Sequence, residues 1–281
     1  MKLLVTGAAG MLGRDLMLAA GNAGHDVVGF GRAELDVADP GSVRRKVEME
    51  RPDVVINSAA WTDVDGAEEA EEAAFAVNGA GAGNVAAAAA EVGASVVQVS
   101  TDYVFDGAKR APYVESDQPA PLSAYARTKL AGEEATIAAN KRHFVVRSAG
   151  LFGIGGNNFV ETMLRLASAS GEVAVVRDQV GSPTYTWHLA YGIVRLIEGV
   201  EYGIHHMAAG GECSWYEFAR EIFEQAHVDC KVLSVTTEEF GRPAPRPPYS
   251  ALASQRQHPI RLPAWRDGLA GYLAQREAEG A

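Results

Sequence analysis

The sequence predicts an α/β protein built on a doubly wound parallel sheet, followed by a smaller C-terminal α/β domain. In the first 150 residues, short β-branched runs alternate with alanine-rich segments. This alternation is typical of parallel strands joined by right-handed helical crossovers. After about residue 150 the segments become shorter and richer in glycine and proline, which predicts a change of architecture.

Five short apolar runs are predicted to be the strands of the first domain, and the first four are apolar on both faces. Such runs are typical of strands covered by helices on both sides. The predicted strands are residues 3–6, 26–30, 54–57, 95–100 and 144–147, and the predicted intervening helices are residues 11–23, 41–50 and 67–92. Further on, we expect a helix over 159–169 and a strand over 173–176.

The length of 281 residues suits one large domain or two smaller ones. We expect residues 1–150 to bind a nucleotide cofactor and residues 151–281 mainly to bind a substrate. Residues 178–198 are expected to pack back on the first domain.

Charge and cysteine content restrict the partners. The net charge is −11 with no basic cluster beyond residues 44–46, which argues against a nucleic-acid partner. No segment approaches the roughly 20 apolar residues of a membrane helix, and the two cysteines, Cys213 and Cys230, suit a reducing compartment. We therefore expect a soluble cytoplasmic protein without a membrane partner.

A glycine-rich turn connects the first strand to the first helix. Gly7, Gly10 and Gly13 have the spacing G-x-x-G-x-x-G. In this context the glycines allow a tight turn, close approach of a pyrophosphate, and close packing of helix on strand. The turn predicts a Rossmann-type dinucleotide site.

The end of the second strand bears on cofactor choice. An acid there usually binds the ribose 2′-hydroxyl of NAD, whereas this chain has Arg32 two residues beyond Phe30. An arginine can bind a 2′-phosphate, so the sequence favours NADPH. A solvated Arg32 and use of NADH remain open.

Tyr125 and Lys129 form a Tyr-x-x-x-Lys pair on a predicted helix, where residues four apart share a face. A nearby ammonium is expected to lower the pKa of the phenol, which would then exchange protons near neutral pH. Thr101 follows a predicted strand at the edge where such sheets bind ligands. Its hydroxyl is predicted to hold a substrate carbonyl oxygen.

Over nearly its full length the chain resembles the extended short-chain dehydrogenases/reductases, and within them the dTDP-4-dehydrorhamnose reductase group. The most specific matches are the strings Thr-Asp-Tyr-Val-Phe-Asp-Gly over 101–107 and Asp-Gln-Val-Gly-Ser-Pro-Thr over 178–184. The resemblance implies hydride transfer from NADPH, or from NADH, to C4 of a dTDP-4-keto-6-deoxy sugar, converting dTDP-4-dehydro-L-rhamnose to dTDP-L-rhamnose.

The resemblance also implies roles for individual residues. Tyr125 would protonate the alkoxide, Lys129 would assist Tyr125 and bind the nicotinamide ribose, and Thr101 would polarise the ketone. The implied cofactor groove comprises Gly7, Gly10, Met11, Leu12, Gly13, Phe30, Arg32, Asp36, Val37, Ala59, Ala60, Trp61, Thr62, Val99, Tyr125 and Lys129. Asp102 would lie beside the sugar, and Arg246 would contact the diphosphate or form a surface ion pair instead.

One departure from the group concerns the sugar. The group usually has a tryptophan beside the sugar where this chain has Gly150. Loss of a large aromatic side chain is expected to enlarge the pocket and remove a stacking surface.

Other functions stay open: an epimerase or a reductase for another nucleotide sugar, and a non-catalytic NADP-binding subunit similar to the β subunit of methionine adenosyltransferase. His205, His206 and Cys213 fit no zinc spacing, so no metal site is predicted. A homodimer is a further possibility.

Overall fold

Six parallel strands form the central sheet of the computed structural model, which describes residues 1–280. They are β1 (Lys2–Thr6), β2 (Asp26–Phe30), β3 (Val54–Asn57), β4 (Ser95–Thr101), β5 (His143–Ser148) and β10 (Gly203–His206). The order across the sheet is β10-β5-β4-β3-β1-β2. The carboxyl ends of the strands therefore meet at one edge, with the order reversing between β1 and β3.

Helices cover both faces of this sheet. One face carries α1 (Met11–Asn22) and α8 (Thr186–Ile197), and the other carries α2 (Pro40–Glu50), α5 (Gly81–Glu91) and α6 (Ala124–Ala139). The apolar strand residues are buried because each face has a helical layer. The predicted fold class, a Rossmann-type doubly wound parallel sheet, is confirmed.

The strand β2 differs from the expectation that it is buried on both faces. It is the edge of the sheet, with Asp26 exposed and Val27, Val28 and Gly29 half-buried. An apolar composition does not distinguish an edge strand that is covered by helices from a central one.

The predicted helix over 67–92 is divided into several pieces. They are α3 (Gly66–Glu69), α4 (Glu71–Phe75), a π-helical turn (Ala76–Ala80) and α5. Ala70 leaves the helical conformation at φ −134°. In the π turn, the buried Asn78 side chain accepts a hydrogen bond from Trp61 N at 2.8 Å and donates one to Trp61 O at 3.1 Å. The turn therefore fixes the loop that follows β3.

The C-terminal part has its own apolar core and three small sheets. Its strands are β6 (Leu151–Phe152), β7 (Glu172–Val176), β8 (Val180–Gly181), β9 (Thr184–Tyr185), β11 (Cys213–Ser214) and β12 (Lys231–Val235). Its helices are α7 (Phe159–Ala169), α9 (Trp215–Gln225), α10 (Thr237–Phe240) and α11 (Trp265–Ala278). Phe152, Phe218 and Tyr272 lie at the centre of this second core.

After forming β6 to β9 and α7 of the C-terminal part, the chain returns to the central sheet. The helix α8 packs against α1, and β10 pairs with β5 from Phe144 to Arg147. The division into residues 1–150 and 151–281 stays a prediction. Among residues 1–280, no helix has the length and apolar character needed to cross a membrane.

Candidate active site

A cavity of about 750 Å³ lies at the carboxyl edge of the central sheet. It extends from the turn after β1 to the start of α6, as expected for a ligand site at the point where strand order reverses. The predicted residues that line it are Gly7, Gly10, Met11, Leu12, Gly13, Arg32, Asp36, Val37, Ala59, Ala60, Trp61, Thr62, Val99, Thr101, Tyr125, Lys129 and Gly150.

Phe30 is the predicted cofactor residue that does not line this cavity. Its side chain is 8% exposed and belongs to the core beneath α2 and α5, with Lys46 Nζ 4.4 Å from the ring centroid. Successive side chains of a strand point to opposite faces of the sheet. The Phe30 side chain is on the face that α2 and α5 cover. The Phe30 side chain therefore packs in the core, and the expected contact of this residue with the cofactor stays a prediction.

The turn after β1 is shaped to hold an anionic group. The helix α1 starts after Gly10 without a side-chain cap, so the N–H groups of its first turn are free to bind a ligand. A Cβ on Gly13 would lie 2.2 Å from Gly7 O, so only glycine allows this helix to approach the turn. Unpaired N–H groups at a helix N-terminus are the donors that a pyrophosphate needs, and the residues present fit a dinucleotide.

A carboxylate that the sequence analysis did not anticipate lies near the end of β2. Glu34 Oε2 accepts a hydrogen bond from Gly31 N at 3.0 Å. Both Gly31 and Arg32 line the cavity. The guanidinium of Arg32 and the carboxylate of Glu34 thus both lie near the end of β2. Glu34 is brought there because the loop after β2 folds back on Gly31.

Tyr125 and Lys129 lie in the first two turns of α6, which is capped by the Ser123 side chain on Ala126 N at 3.2 Å. Both side chains reach the cavity. Lys129 Nζ donates to Val99 O at 2.6 Å, and Gln98 Nε2 donates to the same oxygen at 3.0 Å. The ammonium is therefore held at the end of β4.

The acid–base properties of this pair differ from the sequence-based expectation. Burial raises the pKa of Tyr125 to about 12, and the nearby Asp102 adds to the effect, whereas Thr101 opposes it. Burial lowers the pKa of Lys129 to about 8, although Glu133 one turn further along α6 opposes this. Desolvation therefore raises the Tyr125 pKa, whereas the sequence analysis expected Lys129 to lower it. The phenol remains protonated at neutral pH.

Thr101 and Asp102 form a buried polar cluster at the end of β4. Thr101 Oγ1 donates to Asp102 Oδ1 at 3.1 Å and accepts from Tyr103 N at 3.2 Å. Ser250 Oγ donates to Asp102 Oδ2 at 2.5 Å. Burial raises the pKa of Asp102 to about 6 in spite of these hydrogen bonds.

Asp102 faces a second, smaller cavity next to the first. This cavity is lined by Asp102, Tyr103, Ala149, Gly150, Gln179, Val180, Gly181, Ser182, Pro183, Cys213, Trp215, Pro247 and Ser250. Gly150 lines both cavities. It therefore lies at the junction between the nucleotide groove and the pocket around Asp102.

The space beside Gly150 is not empty, in contrast to the expectation of an enlarged pocket. A Cβ on Gly150 would lie 3.3 Å from Trp215 Cη2 and 3.2 Å from Pro183 Cα. Gly150 also has φ +52°, which disfavours a side chain. The indole of Trp215, at the start of α9, supplies an aromatic surface at this junction.

Arg246 lies outside both cavities and forms an ion pair. Its Nη1 contacts Asp65 Oδ1 at 2.8 Å, and Asp65 also accepts from Arg242 Nη1 and Ala244 N, both at 3.1 Å. The proline-rich segment is thereby attached to the loop before α3. Of the two alternatives for Arg246, the structure contains the ion pair, and the diphosphate contact stays a prediction.

Sequence reasoning missed several residues of the large cavity. The glycine-rich residues 153–158 precede a helix, so their composition could have indicated that this loop lines the cavity. The serine and threonine residues that were missed carry no distinctive local signal. The missed lining residues are Ala9, Gly31, Leu35, Ser58, Val77, Ser100, Ser148, Leu151, Gly155, Gly156, Asn157 and Thr186.

A buried ion pair joins α6 to β5. Arg147 Nη2 contacts Glu133 Oε2 at 2.6 Å, Arg147 Nε contacts Glu133 Oε1 at 2.9 Å, and both residues are 1% exposed. Ser100 Oγ donates to the same carboxylate at 2.5 Å. His206 Nε2 lies 3.4 Å from Arg147 Nη1. Residues 1–280 contain no group of three or more His, Cys, Asp or Glu side chains placed to hold a metal ion.

The parallel sheet, the glycine turn at its switch point and the Tyr125–Lys129 pair define the architecture of the short-chain dehydrogenases/reductases. The model of the RmlD substrate binding domain family matches residues 1–278. The chain belongs to this family.

The relatives are similar over almost the whole chain. The spore coat polysaccharide biosynthesis protein SpsK of Bacillus subtilis is 42% identical, over 99% of this chain and 98% of its own. The dTDP-4-dehydrorhamnose reductase of Mycobacterium tuberculosis is 44% identical, over 97% of this chain and 92% of its own. The crystal structure of dTDP-4-dehydrorhamnose reductase from Bacillus anthracis, in complex with NADP, has a TM-score of 0.95 at 40% identity, covering 98% of this chain and 99% of that one.

Proposed function

We propose that this chain is an oxidoreductase that uses NADPH to reduce the C4 ketone of a dTDP-4-keto-6-deoxy sugar, converting dTDP-4-dehydro-L-rhamnose to dTDP-L-rhamnose. The observation that carries the proposal is one continuous cavity with an anion-binding turn at one end and Thr101, Tyr125 and Lys129 at the other. The M. tuberculosis and B. anthracis relatives support the same reaction and cofactor.

Tyr125 and Lys129 have separate roles in the reduction. Bound NADPH supplies the hydride. Tyr125, whose pKa of about 12 keeps the phenol protonated, gives its proton to the C4 oxygen as negative charge develops there. Lys129, held on Val99 O, places a positive charge beside the phenol and stabilises the phenolate that remains.

Cofactor selection depends on the two groups near the end of β2. Arg32 would bind the 2′-phosphate of NADPH, and the Glu34 carboxylate would accept a ribose 2′-hydroxyl and so permit NADH. Both groups are present, which supports NADPH with NADH as a second cofactor.

The second candidate function is the same reduction on a different dTDP-4-keto sugar. It is favoured by Gly150 and the Trp215 edge, since these change the wall of the pocket where the group usually has a tryptophan. Cytoplasmic localisation, a homodimer and the lack of nucleic-acid and membrane partners belong to this proposal as expectations.

The decisive measurement is NADPH oxidation with a panel of dTDP-4-keto sugars. Tyr125→Phe should lower kcat by about 10³-fold, because general acid catalysis contributes roughly 10²–10⁴-fold, and should leave the NADPH Kd within about twofold. Tyr216→Phe, on α9 and not among the residues that line the large cavity, is the matched control. Turnover retained by Tyr125→Phe would remove Tyr125 from its role, and NADPH binding without turnover of any sugar would refute the reductase assignment.

A further inference from the structure

The first turn of α6 is held by a carboxylate from a distant part of the chain. Glu68 Oε1 accepts a hydrogen bond from Ala124 N at 2.8 Å, and Ala124 directly precedes Tyr125. The helix also has a local cap, since Ser123 Oγ accepts from Ala126 N at 3.2 Å. The first N–H groups of a helix have no partner within the helix, and a negative charge near them is favourable. Glu68 therefore supplies a second cap, which connects α3 to α6.

The Ala124 N–H depends on this carboxylate because Ala124 is fully buried. A buried backbone N–H without a partner is costly and rare, so the first turn of α6 would have to shift if Glu68 were removed. The neighbouring pair between Arg127 and Glu71 differs, since both side chains are 46% exposed and exposed ion pairs contribute little to stability. Of these two carboxylates, Glu68 therefore matters more for the position of the first turn.

The helix α3, which carries Glu68, is itself fixed in place. Asp63 Oδ1 accepts a hydrogen bond from Gly66 N at 3.0 Å, at the start of α3. Asp65 Oδ1 accepts from Arg246 Nη1 at 2.8 Å, which attaches the proline-rich segment to the same short helix. The Glu68 carboxylate thus projects from an anchored element.

The segment before α3 also supplies a wall of the large cavity. Trp61 lines that cavity, and its Nε1 donates to Asp63 O at 2.9 Å. Trp61 and Tyr125 pack against the same group of buried alanines, which are Ala67, Ala74 and Ala124. The hydrogen bond from Ala124 N to Glu68 therefore joins the side of this cluster that contains Trp61 to the side that contains Tyr125.

We infer that Glu68 is a positioning residue for Tyr125. Through Ala124 N it fixes the first turn of α6, and so the place of the phenol relative to the cavity wall that contains Trp61. The inference rests on the proposed function. Glu68 exchanges no proton in the reaction, because hydride comes from NADPH and the proton passes from Tyr125 to the C4 oxygen. Proton transfer requires donor and acceptor within hydrogen-bond reach, so a displaced phenol transfers its proton more slowly.

The test compares Glu68→Ala with Glu68→Gln, which keeps an acceptor oxygen. A misplacement of about 1 Å can cost up to roughly 10²-fold in rate. Glu68→Ala should therefore lower kcat about tenfold with the keto sugar, and Glu68→Gln should remain within about twofold of wild type. The NADPH Kd, measured by fluorescence titration, should stay within about twofold for both variants. Glu69→Ala, which removes the adjacent exposed carboxylate, is the matched control.

A second measurement separates positioning from stability. The solvent deuterium isotope effect on kcat should increase in Glu68→Ala, because proton transfer from Tyr125 becomes slower relative to the other steps. A cap that serves only folding would lower the free energy of unfolding, and it would leave kcat of the folded enzyme and its isotope effect unchanged.

Two results would overturn the assignment of Glu68. One is a kcat of folded Glu68→Ala within about twofold of wild type. The other is a Glu68→Gln variant as slow as Glu68→Ala, since the acceptor oxygen would then not be the cause. If Glu68→Ala fails to fold, Glu68→Asp withdraws the carboxylate from Ala124 N by one methylene, and normal turnover of this variant overturns the assignment equally.

Failure of the proposed function is a separate outcome. A wild-type protein that binds NADPH but reduces no keto sugar refutes both proposals. Normal wild-type turnover with an unaffected Glu68→Ala variant refutes only the Glu68 proposal.

Discussion

The buried pair between Arg147 and Glu133 makes a quantitative prediction about stability. Glu133→Gln removes one charge from a site in which both residues are 1% exposed. It also weakens the hydrogen bonds from Arg147 Nη2, Arg147 Nε and Ser100 Oγ, which are 2.5–2.9 Å long. Leaving a buried guanidinium without its partner costs roughly 3–5 kcal/mol. For a chain of this size, Tm should fall by about 5–9 °C.

The assay is chemical denaturation followed by tryptophan fluorescence, with Glu134→Gln as the control. Glu134 is the next residue along α6 but is exposed, so this variant should change stability by less than about 0.5 kcal/mol. The double variant Glu133→Gln with Arg147→Met removes both charges and should recover most of the loss. A loss below about 1 kcal/mol in Glu133→Gln would refute the reasoning, as would a double variant no more stable than the single one.

The same substitution has a consequence at the active site. The carboxylate of Glu133 opposes the effect of burial on the pKa of Lys129. Without that charge the Lys129 pKa should fall further below about 8, so the alkaline decline of kcat should begin at lower pH. An unchanged pH profile in folded Glu133→Gln would show that the pair acts on stability alone.

Two further predictions concern a buried acid and the cofactor. Burial raises the pKa of Asp15 to about 6 from 3.8, and its Oδ2 lacks a hydrogen-bond partner within residues 1–280. The ionised Asp15 carboxylate therefore destabilises the folded state. This destabilisation is absent below about pH 4 and complete above about pH 6. Asp15→Asn should stabilise the protein by about 3 kcal/mol at pH 8 and hardly at all at pH 3.5. Thermal unfolding at both pH values measures this, with the exposed Asp26→Asn as control, and an equal gain at both would contradict it. Arg32→Ala should weaken NADPH binding about tenfold through loss of a charge-assisted hydrogen bond while sparing NADH. Fluorescence titration measures both Kd values beside exposed Arg165→Ala, and an equal change for the two cofactors would exclude Arg32 as the 2′-phosphate ligand.

Local sequence was sufficient for the elements whose character depends on their own residues. The apolar runs at 54–57 and 95–100 could only be buried strands, and the glycine turn could only join a strand to a helix. The break at Ala70 and the π turn depend on tertiary contacts such as that of Asn78 with Trp61, which no local pattern contains. Nothing in the polar pair His205 and His206 indicated that their strand completes the central sheet.

At the site, the sequence indicated which residues line the cavity better than it indicated their chemistry. Spacing alone places Tyr125 and Lys129 on one face of a helix. Their pKa values depend on how deeply the folded chain buries them, so burial reversed the predicted direction for the phenol. The carboxylate of Glu34 near the end of β2 becomes visible only when the neighbouring loop is in place.

The return of the chain to the central sheet limits how the molecule can be divided. The helix α8 and the strand β10 come from the middle of the C-terminal half. Leu189 and Ile193 of α8 are nevertheless fully buried in the apolar core between the central sheet and its helices. A fragment ending at residue 150 would lack this wall and expose the edge of β5. The chain therefore passes between the central sheet and the C-terminal part several times instead of once, and we expect these connections to limit separation of the two parts. Ligand entry then depends on movement of the surrounding loops more than on separation of two lobes.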